Sequence, residues 1–375
     1  MKPKIKDTMS PIYLKDKIIF GTQSTSIEID DESGEIFKLV KLFNGELSIE
    51  SIYEKTLLSK DDVDELINVL DENLLIEDME LDSTLLSEMD KERYKTNLNY
   101  FSNYADLNKS KYVYQKNLMN STVVIIGVGG ASLLATSLAT MGIGRIILVD
   151  YDRIEISNLS RQIPYFESDI GKLKVDVAKE KINSINSSVK VEIFNKKITC
   201  TADLDEIVKD ADIVVNGIDT PPVESARWVN YACIKNNKVM IQGGIGSDCI
   251  VIEKYSNTKG CYDCFLINSL KQDNEFESQL RFAYSNEFKS VNTSYSPNII
   301  ILTGLLASEI GKYLGKYGDV INSDCTIQLN TKTLEVSYIN QTSKLSNCPT
   351  CGSSKEKSKE PLNIYELIKK AKSIT

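Results

Sequence analysis

The chain has 375 residues, a net charge of −9, 42% apolar and 26% charged residues, and no histidine. This is the mix of a soluble globular protein with one large and one small domain; its acidity argues against a nucleic-acid partner. The lack of histidine excludes Ser-His-Asp and Cys-His catalysis and leaves Asp, Glu, Lys, Arg, Tyr, Cys, backbone and metal to carry chemistry. No apolar run approaches bilayer length and the N-terminus MKPKIKDTMSP has no signal-peptide core, so a cytoplasmic protein without a membrane partner is expected.

Residues 1–80 read as a small module. Alternating runs over Pro11–Gly21 and Ser24–Asp30 predict a β-hairpin. Apolar residues at helical spacing predict a helix over Glu35–Phe43, broken by Asn44-Gly45. Ser48 begins a second helix with Ile49 and Ile52 inward, and Ser59 caps a third with Val63, Leu66, Ile67 and Leu70 on one face. Leu74–Ile76 reads as a closing strand. A winged-helix-like fold results, but Asp61, Asp62, Asp64, Glu65, Asp71 and Glu72 crowd the third helix, which is no surface for phosphates. The pattern is similar to the peptide-recognition modules of ribosomal-peptide modifying enzymes, in which a guide peptide adds a strand to a sheet edge.

Residues 81–120 read as a polar linker or arm rich in Tyr and Asn. Residues 121–352 then alternate apolar runs with helical patterns: helices over Gly171–Ile185, Asp203–Lys209 and Pro221–Ile234, and strands over Val189–Ile193, Ala211–Asn216 and Val239–Gln242. The expected fold class is α/β, a Rossmann-like, doubly wound, mainly parallel sheet with an antiparallel extension over Thr326–Asn330 and Leu334–Tyr338. Leu270–Val291 reads as an irregular lid or crossover loop, and Asn298–Tyr313 as an apolar helix. The tail, residues 353–375, reads as a linker ending in a short, solvent-exposed basic helix from Pro361.

The centre of the chain is Ser121–Arg161. An apolar β-branched run (Val123–Ile126) meets Gly127, Gly129 and Gly130, a small-residue helix follows, and a second apolar run ends in Asp150. Strand, glycine turn, helix, strand and acid make a nucleotide-binding pattern: glycines let backbone approach phosphate, the helix N-terminus presents free N–H groups, and the acid can hold a ribose hydroxyl. Ser132 stands at the sixth position of the usual G-x-G-x-x-G, which implies slightly looser helix–strand packing. Asp219 lies just past the carboxyl end of the Ala211–Asn216 run, the edge where such sheets bind ligands.

Four of the eight cysteines form two C-x-x-C pairs, Cys261/Cys264 and Cys348/Cys351. In a cytosolic chain two such pairs predict a tetrahedral zinc site, structural because four thiolates leave no open position for water.

Together these residues resemble the ubiquitin-activating-enzyme-like adenylyltransferases, the ThiF/MoeB/HesA superfamily. The resemblance spans about Asp90 to Gly352. It rests on Arg93-Tyr94, the glycine turn at Gly127, Asp150 and Asp152, N-L-S-R-Q from Asn158 to Gln162, G-K-L-K ending at Lys174, Asp219 and the cysteine pairs. Within the superfamily the chain is similar to the microcin-type peptide adenylyltransferases, which carry an N-terminal peptide clamp of comparable size. The resemblance implies a homodimer that uses ATP, Mg²⁺ and structural Zn²⁺ to adenylate the C-terminus of a short ribosomal peptide. It implies that Asp150 binds ribose, that Asn158, Arg161 and Lys174 contact the triphosphate with Gln162 bracing their loop, and that Asp219 holds Mg²⁺. Arg93 would reach the phosphates of the other subunit, although Thr96 stands where many relatives carry a second arginine. Two alternatives stay open: adenylation of a Gly-Gly-ended sulfur-carrier protein, and a leader-peptide-binding partner of an azoline-forming cyclodehydratase.

Overall fold

Short alternating strands and amphipathic helices build the first part of the chain, and longer buried strands build the second. The computed structural model describes residues 1–21, 26–273, 275–285, 292–321, 326–339, 343–353 and 360–373. It separates into two compact units, residues 1–118 with 315–318 and residues 119–314 with 319–375.

In the first unit, β1 (Pro3–Ile5) precedes an antiparallel meander of β2 (Pro11–Leu14), β3 (Lys17–Phe20) and β4 (Ile27–Asp30). The start of the expected second strand, Ser24 and Thr25, lies outside the described residues. Next come α1 (Glu35–Leu42), α2 (Ile49–Lys55) and α3 (Lys60–Glu72), near the predicted bounds. Ser48 and Ser59 cap α2 and α3, the latter through a reciprocal capping box with Asp62. Ile18 and Phe20 of β3 pack with Leu39, Ile52, Val63 and Leu70 of the helices in one buried core. The closing strand β5 (Ile76–Asp78) pairs with β1, placing Pro3 opposite Asp78.

The stretch expected as a linker is helical: α4 (Glu88–Arg93), α5 (Lys95–Ser102) and α6 (Lys111–Met119). It packs on the module before it. The Lys6 ammonium, 1% exposed, donates to the Ala105 carbonyl at 2.6 Å, and Lys111 pairs with the buried Glu77 at 2.8 Å. Phe101, Tyr104 and Tyr114 surround Tyr317, which explains the tyrosines of this stretch.

The second unit carries β6 (Thr122–Ile126), α7 (Ser132–Met141), β7 (Arg145–Val149), α8 (Lys174–Ile185), β8 (Lys190–Phe194), α9 (Asp205–Val208), β9 (Ile213–Asn216), α10 (Glu224–Lys235), β10 (Val239–Ile245) and β11 (Cys249–Tyr255). After these come α11 (Tyr262–Gln272), α12 (Phe276–Ala283), α13 (Ser296–Gly315), β12 (Thr326–Asn330), β13 (Val336–Ile339) and α14 (Ile364–Ser373). One sheet has the order β13-β12-β11-β10-β9-β6-β7-β8. The strands from β8 to β10 are parallel and the rest antiparallel, as the sequence predicts. Alternate residues of β6, β9 and β10 (Val124, Val214, Met240) face a core shared with α10 and α11. On the opposite face, Gly243 of β10 lies so close to Leu302 of α13 that an added Cβ would sit 2.5 Å from it. Among the described residues no helix is long and apolar enough to cross a membrane.

Three features differ from expectation. Strand β11 follows β10 through a turn closed by Gly246 N–H to Cys249 O at 2.8 Å, so no intervening helical pattern announces it. The lid expected over Leu270–Val291 is largely helical where described, because Phe276, Leu280 and Ala283 fall on one face of α12; residues 274 and 286–291 lie outside the described residues. The tail helix is not solvent-exposed. Ile364, Leu367, Ile368 and Ala371 recur at helical spacing, are buried, and join the core with α11.

Candidate active site

The adjacent parallel strands β6 and β9 leave the sheet in opposite directions, β6 into α7 and β9 into α10. The crevice beyond their carboxyl ends is a topological switch point. Two glycines line it. Gly127, at φ +87°, follows β6; a Cβ there would sit 2.5 Å from both the carbonyl carbon and oxygen of Gly217. Gly217 follows β9, and a Cβ on it would sit 2.5 Å from the Gly127 oxygen. Neither position admits a side chain. At Gly129 a Cβ would lie 3.1 Å from Gln162 Nε2 and 3.7 Å from Lys174 Nζ, so an amide and an ammonium converge on the glycine turn. Ser132 opens α7 fully buried, and its hydroxyl donates to the Gly129 carbonyl at 2.9 Å, tying the start of the helix to the glycine turn.

Asp150 directly follows β7, is 9% exposed, and ties two loops together. Its Oδ2 accepts from Val128 N–H at 2.7 Å and its Oδ1 from Asp152 N–H at 2.8 Å. The Lys174 ammonium, at the first position of α8, pairs with Asp152 Oδ2 at 2.8 Å. Lys174 begins that helix because Gly171, at φ +87°, turns the chain before it, which shortens the predicted helix. Between them the N-L-S-R-Q run forms a tight turn. Asn158 Oδ1 accepts from Glu155 N–H at 3.1 Å, Arg161 Nη1 donates to the Ser157 carbonyl at 2.9 Å, and Gln162 N–H donates to the Asn158 carbonyl at 2.8 Å. Gln162 is buried, and its Oε1 has no hydrogen-bond partner among the described residues. A buried acceptor without a donor beside a glycine turn is a place for a ligand or water.

Tyr165, which carries no motif, lies beneath this turn. Its hydroxyl donates to the Lys174 carbonyl at 3.3 Å, and burial together with the nearby Asp150 charge raises its pKa. It serves as a fixed donor, and only its place after N-L-S-R-Q could have flagged it. Gly217 was also missed; an N-G step directly after a buried strand was its signal.

Thus Gly127, Gly129, Asp150, Asp152, Gln162 and Lys174 are brought together, with Asn158 and Arg161 on the same turn as Gln162. Gly130 lies beside α13, where a Cβ would be 3.6 Å from Ile299. Asp219 is exposed two residues past Gly217, its Oδ1 accepting from the Thr220 hydroxyl at 3.3 Å. Arg93 is exposed at the end of α4 in the first unit.

The four paired cysteines converge separately. The Sγ atoms of Cys261, Cys264, Cys348 and Cys351 all lie within 4.8 Å of one another and are buried. Distances of 3.3, 3.7 and 3.9 Å bracket the about 3.8 Å between sulfurs of a tetrahedral thiolate zinc site. Gly352 closes the knuckle where a Cβ would meet the Cys348 oxygen at 2.5 Å. The donor set fits Zn²⁺ in a closed, structural site. Asp263, between the first two cysteines, accepts from the Thr350 hydroxyl at 2.6 Å and joins the second pair to the first.

A crystal structure of E. coli MccB with AMPCPP and selenomethionyl MccA matches 94% of this chain and 100% of its own, with 26% identity and a TM-score of 0.75. The same enzyme with ATP, or with a succinimide, matches equally, at TM-scores of 0.75 and 0.74 and 25% and 26% identity over the same coverage. The adenylyltransferase and sulfurtransferase MOCS3 of Dictyostelium discoideum is 39% identical over 152 residues, 40% of this chain and 35% of that protein. The sulfur carrier protein adenylyltransferase of Thermus thermophilus is 34% identical over 132 residues, 35% of this chain and 48% of that protein. The chain therefore spans under half the length of these curated relatives. The ThiF family model matches residues 94–350, which hold the glycine turn, the acid, the N-L-S-R-Q turn, Lys174, Asp219 and three of the four paired cysteines, Cys261, Cys264 and Cys348, and the chain belongs to the ThiF family.

Proposed function

We propose that the protein adenylates the C-terminus of a short ribosomal peptide with ATP. The observation that carries this reading is the cradle over β6 and β9, where the Lys174 ammonium and the Gln162 amide converge on Gly129, beside Gly127 and Gly217, which are too crowded for a side chain. The backbone of Gly127–Gly130 and the N-terminus of α7 suit phosphate, Asp150 suits ribose, and Asn158, Arg161 and Lys174 suit the triphosphate with Asp152 holding Lys174 in place. Asp219 would hold Mg²⁺, which supplies charge neutralisation at the phosphates when bound. Arg93 would serve the phosphates of the partner subunit in a homodimer.

A peptide carboxylate has a pKa of about 3.5 and needs no general base at neutral pH, as a chain without histidine requires. A carboxylate oxygen attacks the α-phosphorus, and pyrophosphate leaves. Catalysis then consists of holding two anions together and neutralising charge as it develops. We further propose the microcin-type continuation. The side-chain amide nitrogen of a terminal Asn attacks the activated carbonyl, AMP leaves and a succinimide forms. Its nitrogen attacks the α-phosphorus of a second ATP, pyrophosphate leaves and an N–P bond remains. The match to the whole chain of E. coli MccB, N-terminal unit included, supports this reading. The names of the more identical relatives favour a second one, adenylation of a Gly-Gly-ended carrier.

Incubation with Mg-ATP, a peptide ending in Asn and a carrier ending in Gly-Gly, read by mass spectrometry, separates them. A peptide retaining a nucleotide monophosphate after acid quench supports the first reading, and a labile adenylate on the carrier the second. Binding of peptide with no reaction of either substrate would point instead to a non-catalytic leader-binding partner.

A further inference from the structure

We propose that Gln242 of β10 and Glu253 of β11 are positioning residues that set the turn carrying Asp219. The inference rests on the reading of Asp219 given above and names residues outside the cradle. It starts from register: Asn216 of β9 stands opposite Gln242, Gln242 opposite Glu253, and Glu253 opposite Thr326 of β12. Four polar residues thus form one row across four strands, in the line of the sheet where Ile126 and Val149 are apolar.

The row is a directed ladder of hydrogen bonds. Gln242 Nε2 donates to Glu253 Oε2 at 2.6 Å, Asn216 Nδ2 donates to Gln242 Oε1 at 2.8 Å, and Ile218 N–H donates to Asn216 Oδ1 at 3.3 Å. The Thr326 hydroxyl donates to Glu253 Oε1 at 3.4 Å. Direction follows from the end group. Glu253 Oε2 accepts from Gln242, although burial raises the Glu253 pKa, so Gln242 turns its NH₂ to Glu253 and its oxygen to Asn216. Asn216 must then turn its NH₂ to Gln242, which leaves its oxygen for the Ile218 N–H. With an acceptor at Glu253 every amide is fixed; without one, Gln242 and Asn216 are free to flip, and an Asn NH₂ would then face the Ile218 N–H, donor against donor.

Ile218 lies between Gly217 and Asp219. The turn is therefore gripped at three points, through Gly217 N–H to the Ile126 carbonyl at 2.7 Å, through the ladder at the Ile218 N–H, and through the Ile218 carbonyl, which accepts from the Ser225 hydroxyl at 3.3 Å. The first grip sets where the turn starts; the ladder fixes the Gly217–Ile218 peptide plane and Ser225 the Ile218–Asp219 plane, so the ladder sets the start of the segment from which the Asp219 carboxylate projects. A row needed only for sheet packing would be filled by Val or Ile, as in the neighbouring strands.

The test compares Q242M and E253M, which cut the ladder at similar volume, with E253Q, which keeps an acceptor for Gln242. Amide exchange over residues 217–219 is measured by mass spectrometry on the full chain, with thermal unfolding as the check on folding. The expected result is exchange at least tenfold faster in Q242M and E253M, with wild-type protection in E253Q. Unchanged exchange in Q242M overturns the proposal, as does E253Q behaving like E253M. A second readout tests the consequence: the Mg²⁺ concentration for half-maximal binding of a non-hydrolysable ATP analogue should rise about fivefold in Q242M while peptide affinity stays unchanged. Faster exchange with unmoved Mg²⁺ dependence overturns the positioning role. If the wild type binds no nucleotide, the adenylation reading fails, and the exchange result still decides whether the ladder sets the turn.

Discussion

Arg227 of α10 and Asp263 of the first cysteine pair form a buried, two-pronged ion pair, Nε to Oδ1 at 2.7 Å and Nη2 to Oδ2 at 3.2 Å. Asn230, one turn further along α10, accepts from Tyr262 N–H at 2.9 Å. The cysteine knuckle thus holds the helix that follows the Asp219 turn. Replacing Cys351 by Ser should release zinc, measured with a chromogenic chelator, and lower the unfolding temperature. Arg227→Met leaves the cysteines intact but strands a buried carboxylate. It should keep zinc and cost about 3–5 kcal/mol in denaturant unfolding, as loss of one partner from a buried pair does. A metal-free, fully stable wild type would refute the zinc site.

Glycine substitutions should divide by position. Gly217→Ala places a Cβ 2.5 Å from the Gly127 oxygen and 3.1 Å from the Ile126 oxygen, both backbone atoms that cannot swing aside. Overpacking of this kind costs about 1–3 kcal/mol, and it should also abolish nucleotide binding because the crevice must open to accept it. Gly304 sits inside α13 with nothing within 4 Å of an added Cβ. Gly304→Ala should stabilise the protein by about 0.5–1 kcal/mol, the helix-propensity difference between the two residues. Equal effects from both substitutions would remove the close approach of β6 and β9 as an explanation.

The cradle residues should act on nucleotide and not on peptide. Lys174→Met removes a charge-assisted donor worth about 1.5–3 kcal/mol, so nucleotide affinity by calorimetry should fall roughly 10- to 150-fold. Arg161→Ala and Asp219→Ala should stop pyrophosphate release while peptide binding persists. Wild-type turnover in either variant would sink the assignment of these residues.

The parts of the fold visible in sequence are those specified locally. The glycine turn, the buried strands β6, β7 and β9, the caps Ser48 and Ser59, and the two cysteine pairs each declare themselves within a few residues. What stayed hidden depends on distant partners. The three residues of β1 become a strand only beside β5, across more than 70 positions of chain. The helix α14 carries a clear apolar stripe, but its burial depends on α11, so composition alone suggested exposure. The same division holds for the site. Asp150 and Lys174 stand out by residue type and spacing, whereas Gly217 matters only because the strand order places β9 beside β6, and Gln242 and Glu253 align only through the sheet register.

Lys6 should give the first unit a distinct pH response. Burial lowers its pKa from 10.5 to about 8, although Glu77, Asp106 and Asp71 oppose the shift. A lysine whose folded pKa lies below its unfolded value binds fewer protons when folded across that interval. The unfolded chain then takes up more protons, and stability gains with rising pH from about 8 to 10.5. Below pH 8 the ammonium is charged in both states and this gain is absent. Other groups titrate in the same range, including Tyr114, whose pKa burial raises. The informative quantity is therefore the difference between wild type and Lys6→Met, which leaves those groups in place. In urea unfolding of the full chain, wild-type stability relative to Lys6→Met should climb between pH 8 and 10.5 and stay flat between pH 6 and 7.5. A difference that is flat throughout, or that falls with pH, would mean that the Lys6 ammonium is not shifted by its burial against the Ala105 carbonyl.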